Sequence, residues 1–331
     1  MKHRVLSIYT LIMVVTGSIA QPHEGAGSCP FDFINIDGDA HSVGMGGAHV
    51  AVPDGANGVL RNPASVSVNN SLNTYLGYSP VFPEMHLVSA AVSKAIKTWG
   101  TFAVSLQSFS SGEIPVVLDN NGEPLYTNDV VGMWGYSGGL TWSYRIVDNF
   151  AAGVTLRGLY EKMSSMEEGV DFYSTAVAFD AGVQYYFWRN RFCVGGVLKN
   201  VGGIVHQYQG YDLKLPSGVE IGVAYTPRHL SNVKITSDIS KQVGDYLNLR
   251  FGFEAYLYKE FLAFRAGIPL SIKDIEHFGE QNYIKTNNNL VAFGIGVNPS
   301  FPNVKTKFNF ALQLKTMGVP PIFLVSNTTA F

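Results

Sequence analysis

From about residue 72 to the C-terminus one pattern repeats: roughly ten residues alternating apolar with polar or small, then a turn. Leu247, Leu249, Phe251, Phe253, Ala255 and Leu257 fall on one side of such a segment, and Asn248, Arg250, Gly252, Glu254 and Tyr256 on the other. Phe308, Phe310, Leu312 and Leu314 oppose Lys307, Asn309, Gln313 and Lys315 in the same way. A period of two with one apolar face specifies antiparallel strands whose faces meet different surroundings. Two architectures satisfy it: a β-sandwich with its apolar faces inward, or a barrel in lipid with its apolar face outward.

The connections select between them. The pattern predicts fourteen strands, at 72–79, 86–94, 99–110, 132–144, 149–163, 172–187, 191–203, 216–226, 231–241, 246–258, 261–270, 287–298, 304–315 and 321–331. Short links at 95–98, 145–148, 188–190, 259–260 and 299–303 alternate with longer ones at 111–131, 164–171, 204–215 and 271–286, while 242–245 and 316–320 are shorter than strict alternation requires. An even strand number with short turns at one end and mostly long loops at the other describes an outer-membrane barrel.

Composition agrees. Only 15% of the 331 residues are charged, with 13% aromatic and 35 glycines, whereas a soluble domain carries about 25% charged residues. A lipid-facing band removes that discrepancy, because Arg or Lys at its midplane costs about 2–4 kcal/mol. Trp142, Tyr144, Tyr185, Phe187 and Trp188 cluster near expected strand ends, where interfacial aromatic girdles belong. A net charge of −2 provides no basic field for nucleic acid.

The first twenty residues read as a secretory signal: Lys2 and Arg4, an apolar run over 5–15, then small residues at Ser18 and Ala20 before Gln21. Residues 21–70 do not alternate and precede a barrel expected to span 71–331. This segment contains Gly44, Met45, Gly46, Gly47 and Ala48, then His49 to Val52, Asp54, and Asn62, Pro63 and Ala64. That run ahead of a fourteen-strand pattern resembles the PorV/PorQ family of type IX secretion components, whose fold is similar to the FadL-like transporters. The resemblance implies that residues 21–70 form a plug or hatch in the lumen. It implies as partners the type IX translocon, a cargo C-terminal domain or surface attachment subunits, besides outer-membrane lipid. The terminal Phe331 resembles the C-terminal aromatic signal read by outer-membrane assembly machinery.

Inward positions carry Arg157, Lys199, Lys234, Arg250, Arg265 and Lys307, offset by Asp180, Glu220, Asp238 and Glu254, with Asp39 and Asp54 in the plug. They are expected to form a mutually neutralising lattice that holds the plug. Enzyme motifs fail on context. Gly44 to Gly47 lacks the spacing and following helix of a nucleotide loop. Ser137 lies in a G-x-S-x-G match, yet strand continues after it where a nucleophile elbow needs a helix. No H-E-x-x-H or C-x-x-C motif occurs, the eight histidines form no legible constellation, and no cofactor or metal is expected. Cys29 and Cys193 are too few for a disulfide scaffold, although they are able to pair. The function expected is a non-enzymatic secretion component that docks cargo or partners through long loops, with Asp119, Asn120, Asn121 and Gly122 as a contact region. The alternative is a FadL-like transporter of hydrophobic small molecules, which would need an apolar lumen pocket.

Overall fold

The computed structural model describes residues 30–331, apart from 69–70, 83, 121–122, 165–170, 189, 208–212, 259, 273–283, 286–288 and 316–319. The signal at 1–20 and Cys29 lie outside the described residues. Fourteen strands form the barrel: β1 Leu72–Phe82, β2 Met85–Ile96, β3 Gly100–Ser110, β4 Met133–Val147, β5 Phe150–Ser164, β6 Asp171–Phe187, β7 Phe192–His206, β8 Gly218–Tyr225, β9 Val233–Gln242, β10 Leu247–Leu257, β11 Leu262–Ile272, β12 Asn289–Val297, β13 Val304–Lys315 and β14 Ile322–Ala330. Each pairs antiparallel with the next, and β14 returns to β1 through Asn73↔Ala330 to Tyr78↔Val325. No edge is left open, so the backbone hydrogen bonds of the sheet are satisfied even in hydrocarbon.

The alternation resolves as anticipated. Along β3, Thr101, Ala103, Ser105 and Gln107 are buried, while Phe102, Val104 and Leu106 stand exposed on the outer wall. Aromatic residues ring both ends of that wall. At the short-turn end Trp142 stacks on Tyr144, and Tyr185, Phe187, Trp188, Phe192 and Tyr225 form a continuous chain of ring contacts. At the opposite end Tyr136, Tyr160, Tyr173 and His206 do the same. Tyr136 and Tyr144 lie on one strand, about 27 Å apart at strand rise, or about 20 Å after a tilt near 40°. That matches a lipid band of about 25 Å. Leu140 lies midway between them and is 63% exposed. Leu140→Arg is therefore expected to destabilise the folded barrel by about 2–4 kcal/mol, read from urea unfolding in bilayers. Thr98→Arg, in the exposed short turn after β2, is expected to change nothing.

Three local features differ from the expectations. The strand pair at 72–79 and 86–94 continues to a tight link, because Pro80 sits at a bulge (Pro80↔His86, then Phe82↔Met85) where its lack of an N–H does no harm. The 111–131 loop contains its own two-stranded ladder, Ile114–Asn120 with Glu123–Val131; Asn121-Gly122 between two apolar runs is a strong hairpin signal. Asn121 and Gly122 themselves lie outside the described residues. The third is a bulge between β6 and β7, where pairing steps from Phe179↔Val201 to Ala181↔Leu198. Asn200 adopts a left-handed φ of 57° there, and its N–H donates to Asp180 Oδ1 at 2.7 Å.

Candidate functional site in the plugged lumen

Residues 30–68 lie inside the barrel and descend from the long-loop end toward the short turns. The Phe31 N–H donates to Glu161 Oε2 at 2.8 Å. Phe33 stacks on Phe109, and its ring lies where a Cβ on Gly135 would stand. Below it, Asp37 pairs with Arg61. Helix α1 (Ala40–Gly44) starts at Asp39, whose Oδ1 accepts the His41 N–H at 3.1 Å as an N-cap.

The Gly44–Ala48 run ends that helix and presses it on the wall. The N–H groups of Gly46 and Gly47 donate to Val43 O and Ser42 O, both at 2.9 Å, which is the Schellman arrangement. Gly46 has a φ of +66°, the left-handed region open to glycine. It also lies against a second glycine: a Cβ on Gly267 of β11 would stand 2.0 Å from Gly46 N and 2.1 Å from Met45 C. Gly44 lies against Gly294 of β12 less tightly, a Cβ on Gly294 standing 3.1 Å from Gly44 Cα. Met45 and Ala48 are fully buried.

Lower down, Asn62 donates through Nδ2 to Val50 O at 3.0 Å and to Val183 O of β6 at 3.2 Å, while its Oδ1 accepts the Ala64 N–H. Pro63 packs on the bare backbone of Gly153 and Gly182, which are paired across β5 and β6. Much of the glycine in the sequence is thus wall glycine that makes room for the plug.

The inward charges sort into separate groups. Arg157 pairs with Asp180 across β5 and β6. Arg250 pairs with Glu220 at 2.6 Å, and the Arg250 side chain passes beside Gly47. Asp238 pairs with no cation among the described residues; its Oδ2 accepts the backbone N–H groups of His49 and Val50 at 2.6 and 2.9 Å, tying the plug to β9. Lys199 reaches Leu60 O of the plug at 3.5 Å. Glu254 gathers Arg265 (2.8 Å), Lys234 (3.3 Å) and His41 Nε2 (3.0 Å). Lys307 faces inward on β13 and contributes positive potential at Asp54. Phe331 ends the barrel, its N–H donating to Leu72 O at 2.9 Å.

One constellation was not legible in the sequence. Asp39, His41, His49 and Asp54, all buried, bring one donor atom each to within 4.8 Å of the others. His41 Nδ1 lies 3.5 Å and His49 Nε2 3.4 Å from Asp54 Oδ2, and the two imidazoles meet edge to face at 4.7 Å. Asn57 Nδ2 bridges Asp39 Oδ2 and Asp54 Oδ2 at 2.9 and 2.5 Å. Burial and neighbouring His41 pull the pKa of His49 down to about 4, so it is neutral. Burial and Arg265 oppose the charge on His41, but Glu254 and Asp54 outweigh them and raise its pKa. Asp54 stays ionised: burial acts against it, and the hydrogen bond and charge of His41 hold its carboxyl well below the ordinary range. The only sequence signal was Asp-x-His followed by His-x4-Asp inside one plug, a spacing that matches none of the usual ligand motifs.

The lumen has two environments. At the long-loop end Phe31, Phe33, Ile34, Leu87, Phe109, Leu159 and Leu215 form an apolar cluster, flanked by Val81, Met85, Met133 and Ile204. Beside the plug lies a polar cavity of about 280 Å³ lined by Asp37, Arg61, Lys199, Glu220, Arg250 and Lys315, among others. Ser137 of the G-x-S-x-G match is a buried inward residue of β4, within continuous strand, so it forms no nucleophile elbow. Cys193 is a buried thiol on β7.

Neither protein-family models nor curated sequences match the chain. Solved structures do. The Pseudomonas putida toluene transporter TodX superimposes with a TM-score of 0.62 at 11% identity, covering 89% of this chain and 98% of TodX. The CymD monoaromatic hydrocarbon channel gives 0.59 at 13% identity over 88% and 96%. A Pseudomonas aeruginosa FadL homologue gives 0.56 at 12% over 88% and 98%. At these identities the likeness is one of fold: these channels share the closed antiparallel barrel described above.

Proposed function

We propose that the protein is an outer-membrane channel for small apolar solutes, exported by a cleaved signal and gated by its N-terminal plug. The observation that carries this reading is the apolar cluster at the long-loop end, where Phe33 and Phe109 stack within the lumen. The cluster joins Phe31, Phe33 and Ile34 of the plug to Leu87, Phe109 and Leu159 of the wall, so displacing the plug would bare an apolar surface of the kind a hydrophobic solute needs to leave water. The fold neighbours include channels described for toluene and monoaromatic hydrocarbons, which supports the same solute class. The polar cavity and ion pairs below the cluster oppose onward passage while the plug is seated.

The expected result is binding of an alkylbenzene by the purified barrel and its uptake into proteoliposomes. Phe33→Asp places a carboxylate in the apolar cluster and is expected to weaken binding about tenfold or more, equivalent to about 1.4 kcal/mol. Its unboiled gel mobility should match wild type. Equal binding by wild type and variant would remove the cluster from the solute path.

A second reading, a PorV/PorQ-like docking component of type IX secretion, is favoured by the Gly44–Ala48 and Asn62–Ala64 runs and by the fastening of the plug. Carboxylate-to-backbone bonds at Asp238 and Glu161 suit a permanent seal better than a gate. It expects secretion subunits to co-purify from outer membranes, and no alkylbenzene uptake.

A further inference from the structure

The Asp39–His41–His49–Asp54 cluster belongs neither to the apolar mouth nor to the polar cavity. Two observations indicate a cation ligand. The carboxylates of Asp39 and Asp54, 2% and 8% exposed, face one another across a single amide, and among the described residues neither forms an ion pair with Lys or Arg. In addition, His49 Nε2 is buried, lies 3.4 Å from Asp54 Oδ2 and has no hydrogen-bond partner; the Oδ1 of the bridging Asn57 is also buried without one. An unsatisfied buried polar atom costs about 1–3 kcal/mol, so two in one cluster call for an explanation.

The geometry suits a metal ion. Ligands about 2.0–2.2 Å from a tetrahedral ion lie about 3.4 Å from each other. The His41 and His49 ring nitrogens stand 3.5 and 3.4 Å from Asp54 Oδ2, with Asp39 completing a set spanning no more than 4.8 Å. Once His41 gives up its proton to the incoming ion, two imidazoles and two carboxylates carry a charge that a divalent ion neutralises, and the nitrogen–oxygen donor set is one that zinc-type ions accept. The support around the set is also of the required kind. The second ring nitrogen of His41 meets Glu254 Oε1 at 3.0 Å, the carboxylate contact that fixes the tautomer and orientation of a ligating imidazole. Arg265 and Lys234 hold Glu254, and Ser326 Oγ donates to Asp39 Oδ1 at 2.8 Å.

We propose that Asp39, His41, His49 and Asp54 form a buried site for a divalent transition-metal ion of zinc type within the plug. The ion ties the start of α1 to the 49–54 turn. Through Glu254 and Ser326 it couples both to β10 and β14, fastening the plug to the wall.

The test uses the full chain, expressed with zinc, purified from outer membranes in detergent and dialysed against a weak chelator before elemental analysis. Wild type is expected to retain one zinc per chain, and to show the strong visible bands of tetrahedral cobalt when grown with cobalt instead. His49→Gln and Asp54→Asn, each with the gel mobility of a closed barrel, are expected to lose at least tenfold of the metal. His86→Gln, on the outer end of β2 beside Tyr78, should retain it. Zinc-edge X-ray absorption of the wild type provides the reading if either variant fails to fold, with two imidazoles expected in the first shell. Substoichiometric metal in wild type, metal surviving both substitutions, or absorption without imidazole scattering would each overturn the proposal.

Discussion

Gly267→Ala is expected to unseat the plug and raise the single-channel conductance of the barrel several-fold in planar bilayers. The added Cβ would stand 2.0 Å from Gly46 N and 2.1 Å from Met45 C. Both are backbone atoms in a turn already committed to a positive φ at Gly46 and to two helix-terminating hydrogen bonds. No side chain is present to rotate away, so the overlap exceeds the roughly 1–3 kcal/mol of ordinary overpacking. The wall does not share the difficulty. Gly267 pairs with Gly252 and Ala292 in regular ladder, and alanine is acceptable in a strand. The plug must therefore yield while the barrel persists, and protease is expected to cleave the 37–62 segment in the variant only. Gly158 supplies the control: it lies on β5 with nothing within 4 Å of a Cβ, and Gly158→Ala should leave conductance and protection unchanged. Identical conductance for Gly267→Ala and wild type would mean that the plug is not the seal.

The second large effect concerns Glu254. Its side chain is fully buried and accepts from Arg265, Lys234 and His41, which come from β11, β9 and the plug. Glu254→Ala leaves Arg265 and His41 buried without that acceptor. Removing one partner of a buried ion pair costs about 3–5 kcal/mol, so the urea midpoint of the purified barrel should fall accordingly. Glu254→Gln retains the shape and one acceptor oxygen and should lose less. The two substitutions separate charge from volume: an equal loss for both assigns the effect to charge, and an unchanged midpoint for Glu254→Ala would show that Glu254 does not hold the plug.

The residues explain why some features were readable in advance and others were not. Lys234, Glu254 and Arg265 were each recognisable as inward-facing, because parity along a strand is local. Their adjacency follows from the pairings Lys234↔Glu254 and Glu254↔Arg265, which depend on inter-strand register. Arg157 with Asp180 is another example: both were identified, and Thr155↔Asp180 with Arg157↔Ala178 sets the diagonal that joins them. The hairpin within 111–131 is marked in the sequence only by the Asn121-Gly122 turn signal, because its flanking runs are interrupted by Pro115 and Pro124. The aspartate–histidine cluster has no sequence signature, because no spacing rule applies to a segment with so little regular structure. His41 sits on α1 and His49 beyond a Schellman turn, and only that turn brings their rings to 4.7 Å.

The sequence by itself determined the number of strands, which face of each meets lipid, the placement of aromatic girdles and the existence of a non-alternating N-terminal segment. All of these follow from a two-residue period and from the cost of charge in hydrocarbon, which act over neighbouring residues. The tertiary structure decided which charges meet, which wall glycines receive the plug, and that an apolar mouth stands above a polar, carboxylate- and imidazole-bearing interior. Those relations join residues up to 287 positions apart, as Asp39 and Ser326 are. They arise only when barrel closure sets every register at once and the plug is packed against the result.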